Sequence, residues 1–290
     1  MRNTLYLVDG HAVMYRYHFA FKENPMRTAS GQITSAPFGM AKLLAVLIKN
    51  YSMTHLAVIF DPPYRTWRKD FYPEYKANRE EKDDISTQIE LTYGLVNAWG
   101  IYTGAFRPLE ADDVIGILAR RAAADDWDVR IVTKDKDYMQ LVDDRIKLID
   151  LGKTVGQDAV TIIDRQAVFD KFGVWPEQIV DYLSLVGDTS DNVPGITGIG
   201  PGWAAKLLAE HRDLEGLWKN LETLPKAKRE ACAGAWPTME RNRRLIRLAF
   251  EYGIPIELSE LKAPPPHNKA LFEALEQLEL YSVIKTLSDG

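Results

Sequence analysis

Apolar residues follow two rhythms along this chain, and the change falls near residue 160. In the first part, short apolar runs alternate with stretches at helical spacing. Leu5-Tyr6-Leu7-Val8 runs into Asp9-Gly10, and the segment 55–60 (HLAVIF) runs into Asp61. The segment 129–133 (VRIVT) is followed at once by Lys134-Asp135-Lys136-Asp137, and 146–149 (IKLI) ends at Asp150. Short apolar runs closed by turn residues predict buried strands. Between them, Met40, Leu43, Leu44, Leu47 and Ile48 recur at helical spacing and predict a helix over 38–51. Further helices are predicted over 85–99 and 111–124. Strands alternating with helices imply parallel pairing with helices on both faces of the sheet. Beyond 160 the strand pattern stops and short helices punctuated by glycine and proline take over. Pro264-Pro265-Pro266 sets off a last amphipathic helix over 269–287. The reading is an α/β core over 1–155 followed by a helical region over 156–290.

Composition adds exclusions. With 46% hydrophobic and 27% charged residues, the chain of 290 residues is an ordinary globular one. It contains no apolar run long enough to cross a bilayer, and its first residues lack a secretory signal. Cys232 is the single cysteine, which excludes an intrachain disulfide and a thiolate zinc cluster and suits a reducing cytoplasm. The formal charge of −5 argues mildly against nucleic acid as a partner. The placement of the acids changes that picture.

Three predicted strands end in carboxylates, at Asp9, at Asp61 and at the pair Asp135 and Asp137. Glu110, Asp112 and Asp113 lie at a predicted helix start, and Asp188 and Asp191 lie in a Gly/Ser/Thr-containing loop. Each acid alone serves equally well as a cap or turn residue, and first-turn acids suit a helix dipole. Together they sit where an open parallel sheet binds ligands, beyond the carboxyl ends of its strands. Two unit charges about 4 Å apart repel by about 4 kcal/mol at an effective dielectric of 20, so such a cluster needs cations. Oxygen-only donors select Mg²⁺ or Mn²⁺, and a pair of such ions is a common device for phosphodiester hydrolysis. The histidines (His11, His18, His55, His211, His267) form no ligand-spaced pair, and His11 beside the Asp9 turn reads as structural.

Residues 64–79 interleave Arg65, Arg68, Lys69, Lys76 and Arg79 with Tyr64, Trp67, Phe71, Tyr72 and Tyr75. Basic groups track phosphates and aromatic faces receive unstacked bases; a core-facing ring suits Phe71 better than Tyr75. The glycines of 195–200 lead into a helix containing Ala204, Lys206 and Leu207, a pattern that brings backbone N–H groups near a phosphate or simply makes tight turns. Arg241, Arg243, Arg244 and Arg247 fall on one helical stretch, as a duplex-facing surface or as a solvated basic helix.

The segments LVDGHAVMYR (7–16), AVIFD (57–61), YKANR (75–79), EADDVIG (110–116), TKDKD (133–137) and GDTSDNVPGITGIG (187–200) resemble the 5′-nuclease (flap endonuclease) family over essentially the whole chain. Within it they are most similar to the 5′→3′ exonuclease domain of bacterial DNA polymerase I. The resemblance implies a PIN-like parallel sheet flanked by helices, then a helical region with a helix-hairpin-helix-type element at about 183–210. It implies a metal-ligand set of Asp9, Asp61, Glu110, Asp112, Asp113, Asp135, Asp137, Asp188 and Asp191, holding two Mg²⁺ or Mn²⁺ ions. It also implies a helical arch near 64–84, with Lys76 and Arg79 acting on the scissile phosphate and Arg68 and Tyr75 helping to bind DNA. Gly198, Gly200, Gly202 and Lys206 belong to the duplex-binding element, which in the family also takes a monovalent cation (K⁺). Two positions depart from the family. Gly202 stands where a phosphate-contacting lysine is usual, with Lys206 one turn on as a partial substitute, and Lys134 stands where glycine or alanine is common. The implied activity is a structure-selective, two-metal 5′→3′ exonuclease and 5′-flap endonuclease of DNA replication and repair. Its substrates would be flaps, gaps, nicks and free 5′ ends. It would be a cytoplasmic monomer, with a DNA polymerase as partner in cis or in trans. The alternatives are a non-catalytic DNA-structure-binding module and a PIN-type endoribonuclease, which the 187–200 segment disfavours.

Overall fold

The computed structural model describes residues 2–78, 83–150 and 161–288. Its strands are β1 (Thr4–Asp9), β2 (His55–Ile59), β3 (Tyr102–Gly104), β4 (Asp128–Val132), β5 (Ile146–Asp150), β6 (Thr161–Ile163), β7 (Gly187–Asp188) and β8 (Val193–Pro194). The helices before residue 180 are α1 (Gly10–Ala20), α2 (Ser35–Asn50), α3 (Trp67–Phe71), α4 (Asp83–Trp99), α5 (Ala111–Ala124), α6 (Arg165–Phe172) and α7 (Ile179–Val186). They are followed by α8 (Pro201–His211), α9 (Leu214–Lys219), α10 (Lys226–Ala233), α11 (Trp236–Ile246), α12 (Lys269–Gln277) and α13 (Tyr281–Ser288). Among the described residues, no helix is long and apolar enough to cross a membrane.

The chain forms two compact units, one of Met1–Tyr64, Glu81–Lys134 and Tyr252–Gly290, the other of Arg65–Glu80 and Asp135–Glu251. The first holds a parallel sheet in the order β3-β2-β1-β4, with Leu7 opposite Ala57 on one side and Ile131 on the other. Leu5, Leu7, Val8, Leu56, Val58 and Ile131 are wholly buried, which is why these strands read as continuous apolar runs with no alternation. Two elements of this unit escape the sequence pattern. β3 has only three residues, and α1 carries half-exposed Tyr15 and Phe19 beside buried Val13 and Met14, which blurs its stripe.

This unit also takes back the C-terminus, so the division differs from contiguous halves at residue 155. α12 packs on α4 and α13 on α2, burying Leu271, Leu275, Val283 and Leu287. The proline run is tied down at the same place. Trp99 Nε1 donates to Pro266 O at 3.1 Å, and Asn268 Nδ2 donates to Trp99 O at 3.0 Å while its Oδ1 caps α12. A segment that reads as a linker is therefore a staple on the core.

In the second unit the strand pattern does continue past 160. β6 pairs antiparallel with β5, Ile149 opposite Ile162, as an exposed edge too short to show a period. The interior is set by α7 against α11. Arg243 of α11 grips Asp181 through two hydrogen bonds (2.9 and 3.0 Å) and also binds Glu215, so one guanidinium joins α7, α9 and α11. This pairing pulls the Glu215 carboxyl down to about 2. Asn242, wholly buried, donates through Nδ2 to Ser184 O at 3.0 Å and Pro194 O at 2.8 Å. It thus fixes the end of α7 and the β7–β8 hairpin, where Gly187 and Gly195 approach so closely that a Cβ on Gly195 would lie 2.1 Å from Val186 O.

Removing Asn242 leaves the buried Ser184 carbonyl and the more exposed Pro194 carbonyl without this donor, and an unsatisfied buried group costs about 1–3 kcal/mol. Asn242→Ala is expected to lower unfolding stability by about 2–4 kcal/mol in urea titrations. A loss below about 0.5 kcal/mol would show that this amide does not hold the hairpin.

Candidate metal centre and nucleic-acid interface

Each proposed ligand carboxylate of the first unit is held by a backbone N–H. Asp9 closes β1 and caps α1 through Oδ1, which accepts from Ala12 N at 2.9 Å. Asp61 follows β2; its Oδ1 accepts from Ala111 N at 2.8 Å, and its own N–H donates to His11 Nδ1 at 3.0 Å. By accepting this N–H, His11 positions the turn after β2. Glu110 and Asp113 form a capping box at the start of α5, and Asp112 Oδ1 accepts from Asp113 N at 2.7 Å. Capping and metal binding are compatible roles, because a carboxylate has two oxygens and a held one is pre-oriented.

The second unit brings three carboxylates into one cluster. One oxygen each of Asp137, Asp188 and Asp191 lies within 4.8 Å of the others, and all three residues are buried. Asp135 caps the 3₁₀ turn Lys136–Leu141 by accepting from Asp137 N at 3.0 Å. Asp188 Oδ1 accepts from Ser190 N (2.9 Å) and Ser190 Oγ (2.6 Å) and lies 2.7 Å from Lys136 Nζ. Asp191 Oδ2 accepts from the Tyr75 hydroxyl at 2.7 Å and lies 3.9 Å from Lys76 Nζ. Asp137 Oδ1 is buried with no hydrogen-bond partner.

The electrostatics follow from burial. Desolvation, then the charge of Asp135, push the Asp137 carboxyl well above the usual carboxylate range, and burial likewise raises Asp135. Burial works in the same direction at Asp188, but hydrogen bonds from Lys136 and Ser190 outweigh it and hold that carboxyl below its ordinary value. A buried acid with an unpaired oxygen beside further carboxylates is unfavourable as it stands, and a cation relieves it.

The residues expected to touch DNA divide differently from the sequence reading. Arg68 is 1% exposed, and its guanidinium donates to Leu245 O (2.7 Å) and Arg247 O (3.2 Å) at the C-terminal end of α11. It anchors α3 to α11, where the helix dipole favours a cation, and is not presented to phosphate. Tyr75 is 2% exposed and positions Asp191, whereas Phe71 is 38% exposed with Arg244 4.1 Å from its ring centre. The two aromatic rings thus exchange their expected places. Lys76 adopts a left-handed backbone (φ 53°), and its N–H donates to Asp191 O at 2.9 Å. Arg79 lies outside the described residues.

α7, the β7–β8 hairpin, the loop 195–200 and α8 occupy the segment expected to hold the helix-hairpin-helix-type element. Gly198 has φ 86°, a left-handed turn that favours glycine, and Gly200 occupies the N-cap of α8. Around Gly200 and Gly202 a Cβ would meet nothing within 4 Å. Lys206 is exposed, 5.0 Å from the Trp203 ring centre and 3.9 Å from Glu210. Lys136, Asn242 and Lys228, whose Nζ donates to Gly198 O at 2.6 Å, are participants that the sequence did not single out. Only for Lys136 was there a signal, its place between two candidate ligands.

The 5′–3′ exonuclease N-terminal resolvase-like domain matches residues 4–173, and the 5′–3′ exonuclease C-terminal SAM fold matches 174–269. A 5′–3′ exonuclease of Aquifex aeolicus is 34% identical over 97% of this chain and 94% of its own length. The DNA polymerase I of Caldicellulosiruptor bescii is 34% identical over 98% of this chain, which spans only 33% of that relative. Among solved structures, a zinc-bound bacteriophage T5 5′-exonuclease shares the fold with a TM-score of 0.70 and 18% identity, covering 98% of this chain and 100% of its own. The catalytic core of Rad2 in complex with DNA substrate superposes with a TM-score of 0.64 at 14% identity, covering 99% of this chain and 92% of its own. By its two matched domains and its nearly full-length relative, the chain belongs to the 5′–3′ exonuclease family.

Proposed function

We propose that this protein is a divalent-metal-dependent 5′→3′ exonuclease and 5′-flap endonuclease that hydrolyses DNA phosphodiesters in replication and repair. The observation that carries the reading is the buried triad of Asp137, Asp188 and Asp191, with one Asp137 oxygen left without a partner, in a chain of this family. An all-oxygen donor set suits Mg²⁺ or Mn²⁺. Asp135 and the triad hold one ion, and Asp9, Asp61, Glu110, Asp112 and Asp113 hold a second. When bound, such ions generate a nucleophile from water near neutral pH and stabilise charge on the phosphoryl and leaving oxygens.

The chain's own groups do the rest. Backbone N–H groups hold Asp9, Asp61 and Asp188 in fixed orientation, and the Tyr75 hydroxyl holds Asp191. Lys76, 3.9 Å from Asp191, orients the scissile phosphate and offsets its charge together with Arg79. The element from α7 to α8 holds duplex backbone through Gly198, Gly200, Gly202 and Lys206, so recognition depends on junction shape and not on base sequence. A K⁺ ion at this hairpin would share the Gly198 carbonyl with Lys228, whose Nζ donates to it at 2.6 Å. The substrates are 5′ flaps, gaps, nicks and free 5′ ends, cut by a cytoplasmic monomer that works with a DNA polymerase in cis or in trans.

A labelled 5′-flap duplex incubated with Mg²⁺, with and without chelator, tests the activity; release of the flap only with the metal is expected. Asp188→Asn should lower that rate by at least 100-fold while flap binding in chelator holds steady or improves. Near-parental cleavage by a folded Asp188→Asn protein would remove this residue from the metal site. Lys76→Ala should slow single-turnover cleavage by at least tenfold and leave duplex affinity within about threefold; a tenfold change is about 1.4 kcal/mol of barrier.

The raised Asp137 carboxyl gives a pH test in the metal-free protein. A folded-state pKa above the unfolded value means that the folded state binds the extra proton, so this group's contribution to stability declines as pH rises from about 4 upward. Asp137→Asn should therefore melt above the parent at pH 7 in chelator and near it at pH 4, and added Mg²⁺ should raise the parent more than the variant. Equal melting temperatures at pH 7 would show that the Asp137 charge is not strained.

A further inference from the structure

Resting on the reading that the triad holds a divalent ion, we propose that Lys136 is a built-in counter-cation of that site. It supports Asp188 while the metal is absent and limits how tightly the metal binds. The turn that Asp135 caps delivers consecutive residues to one cluster: Asp137 contributes an oxygen to the triad, and Lys136 places its ammonium 2.7 Å from Asp188 Oδ1. Asp188 is 3% exposed, and its Oδ1 is crowded by Ser190 N, Ser190 Oγ and Lys136 Nζ. Oδ2 is then the oxygen that Asp188 offers to an ion.

Two consequences follow from this arrangement. In the absence of metal, four acids (Asp135, Asp137, Asp188 and Asp191) lie near the ammonium groups of Lys136 and Lys76 among the described residues, with Lys136 Nζ 2.7 Å from Asp188 Oδ1 and Lys76 Nζ 3.9 Å from Asp191 Oδ2. Removing its charge leaves the cluster with more uncompensated negative charge and destabilises the metal-free protein. A divalent ion held by the Asp188 carboxylate would be repelled by the ammonium on the same carboxylate. Lys136 thus trades metal affinity for integrity of the empty site. It is a positioning residue, since it acts through Asp188 and touches no reacting atom.

The test compares the full chain with Lys136→Met, which keeps the length and apolar stem but loses the charge, and with Lys136→Arg, which keeps the charge. Calorimetric titration with Mn²⁺ is run on each, with Asp137→Asn identifying which binding event belongs to the triad. Lys136→Met is expected to bind Mn²⁺ at that event at least tenfold more tightly and to melt several degrees lower in chelator. Lys136→Arg should stay near the parent in both. If Lys136→Met does not fold in chelator, recovery of folding on adding Mn²⁺ supports the proposal and failure to recover overturns it. Affinity within threefold of the parent, or a Lys136→Arg shift equal to that of Lys136→Met, would overturn the counter-cation role and leave the metal site standing. A titration that Asp137→Asn leaves unchanged would instead overturn the metal site itself.

Discussion

Carboxylates drawn together out of water repel one another and lose hydration, and the local architecture of both units answers that constraint. In the first unit the answer is backbone. Asp9, Asp61, Asp112 and Asp113 each accept from a main-chain N–H at a helix start or strand end, where donors are unsatisfied by the helix itself. In the second unit the donors are more varied: a hydroxyl from Tyr75, a hydroxyl and an amide from Ser190, and the ammonium of Lys136. Asp137 Oδ1 receives none of these, and it is at Asp137 that burial raises the carboxyl most clearly.

The same constraint explains why so much of the second unit consists of polar side chains turned inward. Arg68, Asn242 and Asp181 are not at the metal cluster, yet they are buried and multiply bonded, and the partly exposed Arg243 ties Asp181 in place. Asn242 fixes the hairpin that carries Asp188, and Arg68 fixes the segment that carries Tyr75 and Lys76. A carboxylate is useful as a ligand only if its position survives thermal motion, and supporting hydrogen bonds are the means of fixing it.

What was legible in the sequence follows from the length scale of each signal. β1, β2, β4 and β5 lie in apolar runs ended by aspartate, because strands buried on both faces leave no polar alternation to confuse the pattern. β3 and β6 have three residues each, too few to show a period. Among the clustered acids, Asp135 and Asp137 stand just past the apolar run of β4, whereas Asp188 and Asp191 stand in a loop that the family resemblance singles out. Arg68, Tyr75 and Phe71 were misplaced because a short helix of mixed basic and aromatic residues has no stripe that says which side faces inward. Their partners, the carbonyls of 245 and 247 and the carboxylate of Asp191, lie more than 100 residues away. The charge of Lys136 sets it apart from the acids beside it in sequence, although that charge is what places it among them in the structure.

The overall acidity of the chain looks at odds with a polyanionic substrate, and the location of the acids removes the conflict. Formal charge is −5 for the whole sequence, and setting aside the nine proposed ligands leaves the remainder at +4. The negative balance is thus owed to residues whose charge is meant to be offset locally by divalent ions, backbone dipoles and Lys136. Interactions between exposed charges fade over about 8–10 Å at physiological salt, so phosphate responds to local fields and hardly at all to the sum. On the proposed reading, bound ions would reverse the local field of those acids, so the same chain would repel or draw a polyanionic substrate according to whether its ions are in place.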